Sequence, residues 1–182
     1  MELRKAVDNL CIYDPEFQSY ADKFVGQTGG SSAIRAVGSM DELKSAIDSF
    51  TSVKFLEVCL HGTPGMIKFA DGSAMVGQYL GVLTHGKLFL APNARVLFDS
   101  CNIGEGETGD KFMDELGERL FKGKGGIIGA STVKNIELLP KSRFCTEIYM
   151  EPLSFGRLKV RRYNEGGTRA GEKTVDRNGY GR

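Results

Sequence analysis

An α/β fold, with a mostly parallel sheet and helices on both of its faces, is predicted by three features of this sequence. Strand-length apolar runs alternate with segments of helical period along most of the chain, the order that builds strand-helix-strand units. Two of the runs, Val53–Leu60 (VKFLEVCL) and Gly125–Val133 (GGIIGASTV), are nearly continuous in apolar and small residues, as strands covered on both sides are. The chain has 182 residues, 41% of them hydrophobic and 26% charged, which suits one domain with a substantial core.

The elements follow in order. Asn9–Tyr13 (NLCIY) is an apolar run closed by Asp14-Pro15, and Pro suits the first turn of a helix reaching about Val25. Gln27–Ser32 is a loop and Ala33–Val37 a second strand. Ser39-Met40-Asp41-Glu42 is a capping box that opens a helix with Leu43, Ala46, Ile47 and Phe50 on its apolar face. The strand Val53–Leu60 leads to His61-Gly62. Turn residues at Gly62–Gly65, followed by Met66–Ala70 and Asp71-Gly72, predict a hairpin at the sheet margin, and a helix is expected over Val76–Leu83.

The next strand, Val96-Leu97-Phe98, runs into Asp99-Ser100-Cys101, and a helix with Phe112, Met113, Leu116, Leu120 and Phe121 on its apolar face follows. Gly125–Val133 is the fifth buried strand. Phe144–Met150 and Arg157–Tyr163 are weaker strand candidates. The domain is expected to span 1–163, with 164–182 a flexible, Gly-rich polar tail.

Composition limits the partners. A net charge of +1 gives no whole-chain field for nucleic acid or an anionic membrane. From Arg157 onward eight basic residues face three acidic ones, a mixture that reads as a solvated tail. No apolar run approaches the roughly 20 residues that span a bilayer. Met1–Leu10 lacks the apolar core of a secretory signal, so a cytoplasmic protein, or one exported by a route without such a signal, is expected. Cys11, Cys59, Cys101 and Cys145 form no CxxC pair, so reduced thiols are expected and neither a metal nor a cofactor.

The chemistry concentrates at the ends of two strands. At the carboxyl end of a buried strand in an open α/β sheet, a side chain is held at the rim of the crevice where such sheets bind ligands. Cys101 ends one strand and His61 another. A thiol is only a few per cent thiolate at neutral pH; an adjacent imidazole raises that fraction and later protonates the leaving group. Taken singly, a strand cysteine is usually core and a lone histidine usually structural. Their pairing at one sheet edge points to a dyad.

Strand, helix, strand, helix, strand ending in His61-Gly62, then strand ending in Asp99-Ser100-Cys101, resembles the caspase-like fold of clan CD cysteine peptidases, which includes caspases, metacaspases, legumain and clostripain. The resemblance covers Asn9–Val133, with His61 and Cys101 forty residues apart. It implies a caspase-like three-layer sandwich, His61 as general acid/base and Cys101 as nucleophile. The backbone N–H groups of Gly62 and Cys101 would form the oxyanion hole, worth a few kcal/mol per donor in such enzymes. Asp99 looks like the acid of the metacaspase Asp-x-Cys pattern, which lines the S1 pocket and selects a basic P1 residue; its plainer reading is a cap for the turn or helix that follows.

The function implied is a cysteine endopeptidase that cleaves protein or peptide substrates after Arg or Lys through a thioester. A basic Gly-rich segment such as Phe121–Gly125, or the tail, is a candidate place for self-cleavage. The alternative is an inactive caspase-like domain used for protein interaction. The chain departs from the caspase Gln-Ala-Cys-x-Gly pattern, since Asn-Ile-Gly-Glu-Gly follows Cys101, and Leu60 stands where metacaspases often have Ser.

Other motifs weigh less. Gly104–Gly109 matches G-x-G-x-x-G between a strand and a helix, but Glu105 and Glu107 would repel a pyrophosphate, and it reads as a flexible loop beside the nucleophile. A phosphatase loop would need Arg where this chain has Glu107. His85-Gly86 is a second His-Gly pair, in loop context.

Overall fold

The computed structural model describes residues 4–84, 89–132 and 157–176. A seven-stranded sheet forms the middle layer. Its strands are β1 (Lys5–Tyr13), β2 (Ser32–Ala36), β3 (Phe50–Cys59), β7 (Leu90–Phe98), β8 (Gly126–Ser131), β9 (Arg157–Tyr163) and β10 (Arg169–Asp176). Across the sheet the order is β10-β9-β8-β7-β3-β1-β2. Strands β2, β1, β3, β7 and β8 are mutually parallel, while β9 and β10 pair antiparallel at one edge. A second, three-stranded antiparallel sheet is made of β4 (His61–Thr63), β5 (Met66–Lys68) and β6 (Ala74–Val76).

Alternation along each strand sends its side chains to two cores. Leu10, Ile12, Leu56, Val58, Val96 and Phe98 join the core shared with α2 (Met40–Asp48), α3 (Gly77–Thr84) and α4 (Gly106–Phe121). Cys11, Tyr13 and Cys59 join the opposite one, under α1 (Gln18–Gln27). Helices therefore lie on both faces of the sheet. The expected capping box opens α2: Glu42 N–H donates to Ser39 Oγ at 3.2 Å, and Gly38 N–H donates to Glu42 Oε2 at 2.6 Å.

The topology locates a crevice. From β1 the chain passes to β2 on one side, then returns through α2 to β3 on the other. The connections diverge between β1 and β3, and in open α/β sheets the carboxyl ends at such a switch point leave room for a ligand.

Two expectations are corrected. The Gly-rich stretch after 163 was expected to be a loose tail, but Arg169–Asp176 forms edge strand β10, paired antiparallel with β9 from Tyr163 to Arg157 with a register shift between Arg169 and Gly171. A tight turn with Gly167 at φ +79° joins the two strands. Arg161 ties them together by donating from Nε to Glu172 Oε2 at 2.5 Å. Polar composition hid this strand because most of β10 is exposed, so it shows no apolar alternation. Likewise Gly104–Gly109 is no flexible loop. Gly104 N–H donates to Ser131 O at 2.8 Å, and a Cβ on Gly109 would lie 2.2 Å from Gly104 C. The glycines let a tight turn enter α4. The strand expected over Phe144–Met150 lies outside the described residues.

Candidate active site

The switch point is built from three chain segments. The first leaves β1 at Asp14, whose N–H donates to Cys59 O at 2.9 Å, so the ends of β1 and β3 stay side by side. Asp14 caps a short 3-10 turn over Pro15–Phe17, its Oδ1 accepting from Glu16 N–H at 3.0 Å. This turn carries Glu16 and Phe17 over the end of β3. Asp14 itself is 1% exposed.

The second segment leaves β3 through fully buried Leu60 and turns into the β4–β5 hairpin, where His61 stands opposite Lys68. His61 is half-buried against Phe17, with ring centroids 5.1 Å apart and planes tilted by 53°. Its Nε2 lies 3.3 Å from Glu16 Oε2 and 4.0 Å from Asp14 Oδ2. Two carboxylates on that side favour a proton on Nε2 and leave Nδ1 as the basic nitrogen.

The third segment leaves β7. Asp99 N–H donates to Val58 O at 2.9 Å, extending the β3–β7 ladder beyond Phe98. Asp99 and Ser100 are fully buried, and the chain then turns at Cys101–Gly104. Cys101 is partly buried and forms no disulfide among the described residues. It packs against the cluster of Cys11, Tyr13, Phe17 and Cys59, so Phe17 is common to its surroundings and to those of His61. Asn102, at φ 54°, sits in the left-handed region that Asn tolerates better than most residues.

Gly62 joins the second and third segments. A Cβ there would lie 2.8 Å from Ser100 Cβ, 3.0 Å from Cys101 O and 3.2 Å from Cys101 N, so only glycine lets the backbone after His61 approach the backbone of Cys101 this closely. Gly65 N–H adds a bond to Ile103 O at 2.9 Å. The backbone of Gly62, next to His61, thus lies against the backbone of Cys101. Asp99 lies beside them but is 0% exposed, so a P1 side chain reaches it only if the surrounding chain opens. It is not the cap of α4, whose N-cap is Glu105.

Buried polar atoms gather at the same edge. Asp14 Oδ2, Ser100 Oγ and Asn102 Oδ1 are buried and have no hydrogen-bond partner among the described residues. Such atoms are rare in folded proteins and expensive to leave unsatisfied, so their gathering at a strand-end crevice marks a place that receives something polar.

Asp14 and Glu16 are the residues that sequence reasoning missed. Asp14-Pro15 shows only a helix start. The remaining signal, a carboxylate at the end of the first strand, gains meaning only when β1 is known to lie next to β3. Cys59 is fully buried, as expected of a core residue, and so is Cys11. Cys145 and His85 lie outside the described residues. The candidate self-cleavage segment Phe121–Gly125 is a pinned turn: Lys124 Nζ donates to Leu90 O at 3.0 Å and Gly123 N–H to Glu165 O at 2.6 Å, leaving Lys122 the exposed cation.

Comparison with protein-family models, with curated proteins and with solved structures returns no match to this chain.

Proposed function

We propose that the chain is a cysteine endopeptidase of caspase-like architecture, with a His61–Cys101 dyad. The observation that carries this reading is that adjacent central strands β3 and β7 deliver His61-Gly62 and Cys101 to one point, with the Gly62 backbone against that of Cys101. In the reaction, His61 takes the thiol proton and Sγ attacks the scissile carbonyl carbon. The negative charge on the carbonyl oxygen is met by the N–H groups of Gly62 and Cys101. As the tetrahedral intermediate collapses, the C–N bond breaks, the imidazolium gives its proton to the leaving amine, and a thioester remains. Water, deprotonated by the same imidazole, releases the acid and restores the thiol.

Glu16 and Asp14 act as positioning residues. Their carboxylates face Nε2, hold the ring and offset the positive charge that develops on it during the reaction. Asp99 favours a basic P1 residue once the chain around it opens to substrate, pairing with Arg or Lys in a low-dielectric setting. The test is hydrolysis of peptides differing at P1. Cys101→Ala and His61→Ala should abolish turnover, and Asp99→Asn should lose preference for Arg and Lys while keeping the dyad's reactivity toward iodoacetamide. A thiol at Cys101 no more reactive than an ordinary cysteine, with no substrate cleaved, would favour a caspase-like interaction domain instead.

A further inference from the structure

We infer that Asp14, Glu16 and His61 form a binding site for a divalent transition-metal cation of the zinc type, and that the cation switches the peptidase off. One donor atom from each of the three residues lies within 4.8 Å of the other two. Zinc–ligand bonds of about 2.0–2.2 Å in tetrahedral geometry put neighbouring ligand atoms roughly 3.4 Å apart. The His61 Nε2–Glu16 Oε2 separation is 3.3 Å, and the 4.0 Å to Asp14 Oδ2 closes with a small side-chain adjustment. An imidazole with two carboxylates, leaving one position to water, is a donor set that suits zinc and disfavours calcium or magnesium, which select oxygen ligands.

A second observation points to a ligand here. Asp14 Oδ2 is buried without a hydrogen-bond partner among the described residues, in a residue 1% exposed, and it faces the other two donors. Its companion oxygen is satisfied by Glu16 N–H, which fixes the carboxylate in place. A buried carboxylate oxygen without a hydrogen-bond partner is costly, and a coordinated cation removes that cost. Glu16, more than half exposed, closes the site from outside and gives the ion a path in.

The regulatory half rests on the peptidase reading; the metal site does not. With a cation on Nε2, the remaining proton of the neutral ring sits on Nδ1, and no lone pair is left to accept the proton of Cys101. The chain would be silent with zinc bound and active once the metal is withdrawn.

The experiment titrates the full chain, stripped with a chelator, with zinc alone in competition with a chromophoric chelator, and follows peptide hydrolysis in parallel. One zinc per chain is expected, with affinity lowered about tenfold or more by Glu16→Gln, Asp14→Asn or His61→Ala, and unchanged by Cys101→Ser. Glu16 is at the surface, so Glu16→Gln keeps the test decisive even if Asp14→Asn misfolds. Equal affinity in Glu16→Gln and wild type would overturn the site, as would loss of zinc in Cys101→Ser, which would place the metal on the thiol. Zinc bound as expected while no peptide is ever cleaved would sink the peptidase reading and leave the metal site standing; hydrolysis unaffected by bound zinc would overturn the switch.

Discussion

Gly62 is the residue on which the proposed dyad turns. A methyl group there meets Ser100 Cβ at 2.8 Å and Cys101 O at 3.0 Å, and a backbone contact has little room to give. Gly62→Ala should therefore push the His61 segment away from Cys101. Misplacement of reacting groups by about 1 Å costs on the order of 100-fold in rate, whereas overpacking of this kind costs about 1–3 kcal/mol of stability. Hydrolysis should thus collapse in a protein that still melts cooperatively, which kinetics and calorimetry on the same preparation can check. Glu16→Gln addresses a different contact. It removes a charge 3.3 Å from Nε2 and should lower kcat with little change in KM, because in the proposed reaction Glu16 acts on the imidazole and not on the substrate.

At the scale of elements, the margin of the sheet is held by Arg161, which is 2% exposed and bridges three elements. Its Nε donates to Glu172 of β10 at 2.5 Å, its Nη2 to Asp110 of α4 at 2.7 Å, and Nη1 lies 3.1 Å from Asp114. Arg161 is buried but its carboxylate partners are more than 40% exposed, so Arg161→Ala loses packing and three ion pairs without stranding a buried charge; it should lower the melting temperature, while Lys122→Ala at the exposed turn should not. Partial burial works to raise the pKa of Asp110, but the Lys159 ammonium and the Arg161 guanidinium outweigh it and hold the carboxyl below its ordinary value of 3.8. A depressed carboxyl stabilises the fold above its unfolded pKa and loses that contribution as pH falls through the folded value. Asp110→Asn should accordingly flatten the acid limb of the stability curve below about pH 4, as urea unfolding at a series of pH values would reveal. On the same face of the sheet, Ser39→Ala removes the cap of α2 and should cost about 1 kcal/mol.

These elements differ in how plainly the sequence announces them. The capping box at Ser39 and the apolar runs of β3 and β8 are local signals and appear where expected. Strand β10 is not legible, because it lies mostly exposed at an edge and is specified by cross-strand charge pairs such as Glu172 opposite Arg161. Gly117 carries no local signal either. A Cβ there would sit 2.2 Å from Tyr163 Cζ, which shows that α4 needs glycine to admit the Tyr163 ring; the phenol then donates to Met113 O at 2.8 Å.

For the whole molecule, strand order decides what assembles. His61 and Cys101 are legible as the ends of two apolar strands, and the parallel pairing of β3 with β7 brings them together. Asp14 and Glu16 are not legible, since nothing in their own segment says that β1 will lie on the other side of β3. A local reading finds groups that end strands; it misses groups that a neighbouring strand brings alongside. The fold also sets what is rigid. Gly65 N–H to Ile103 O and Gly104 N–H to Ser131 O anchor the chain on both sides of the crevice, so the proposed dyad would be held by backbone bonds rather than by flexible side chains.

The most direct measurement is turnover of fluorogenic peptides with Arg, Lys, Asp, Asn or Leu at P1, on metal-free wild type, Cys101→Ala and His61→Ala, with the alkylation rate of Cys101 measured at pH 6–7. The dyad predicts cleavage after Arg and Lys that disappears in both variants, and a Cys101 that alkylates faster in wild type than in His61→Ala. Absence of turnover on every peptide, with Cys101 alkylating at the same slow rate whether or not His61 is present, would contradict it.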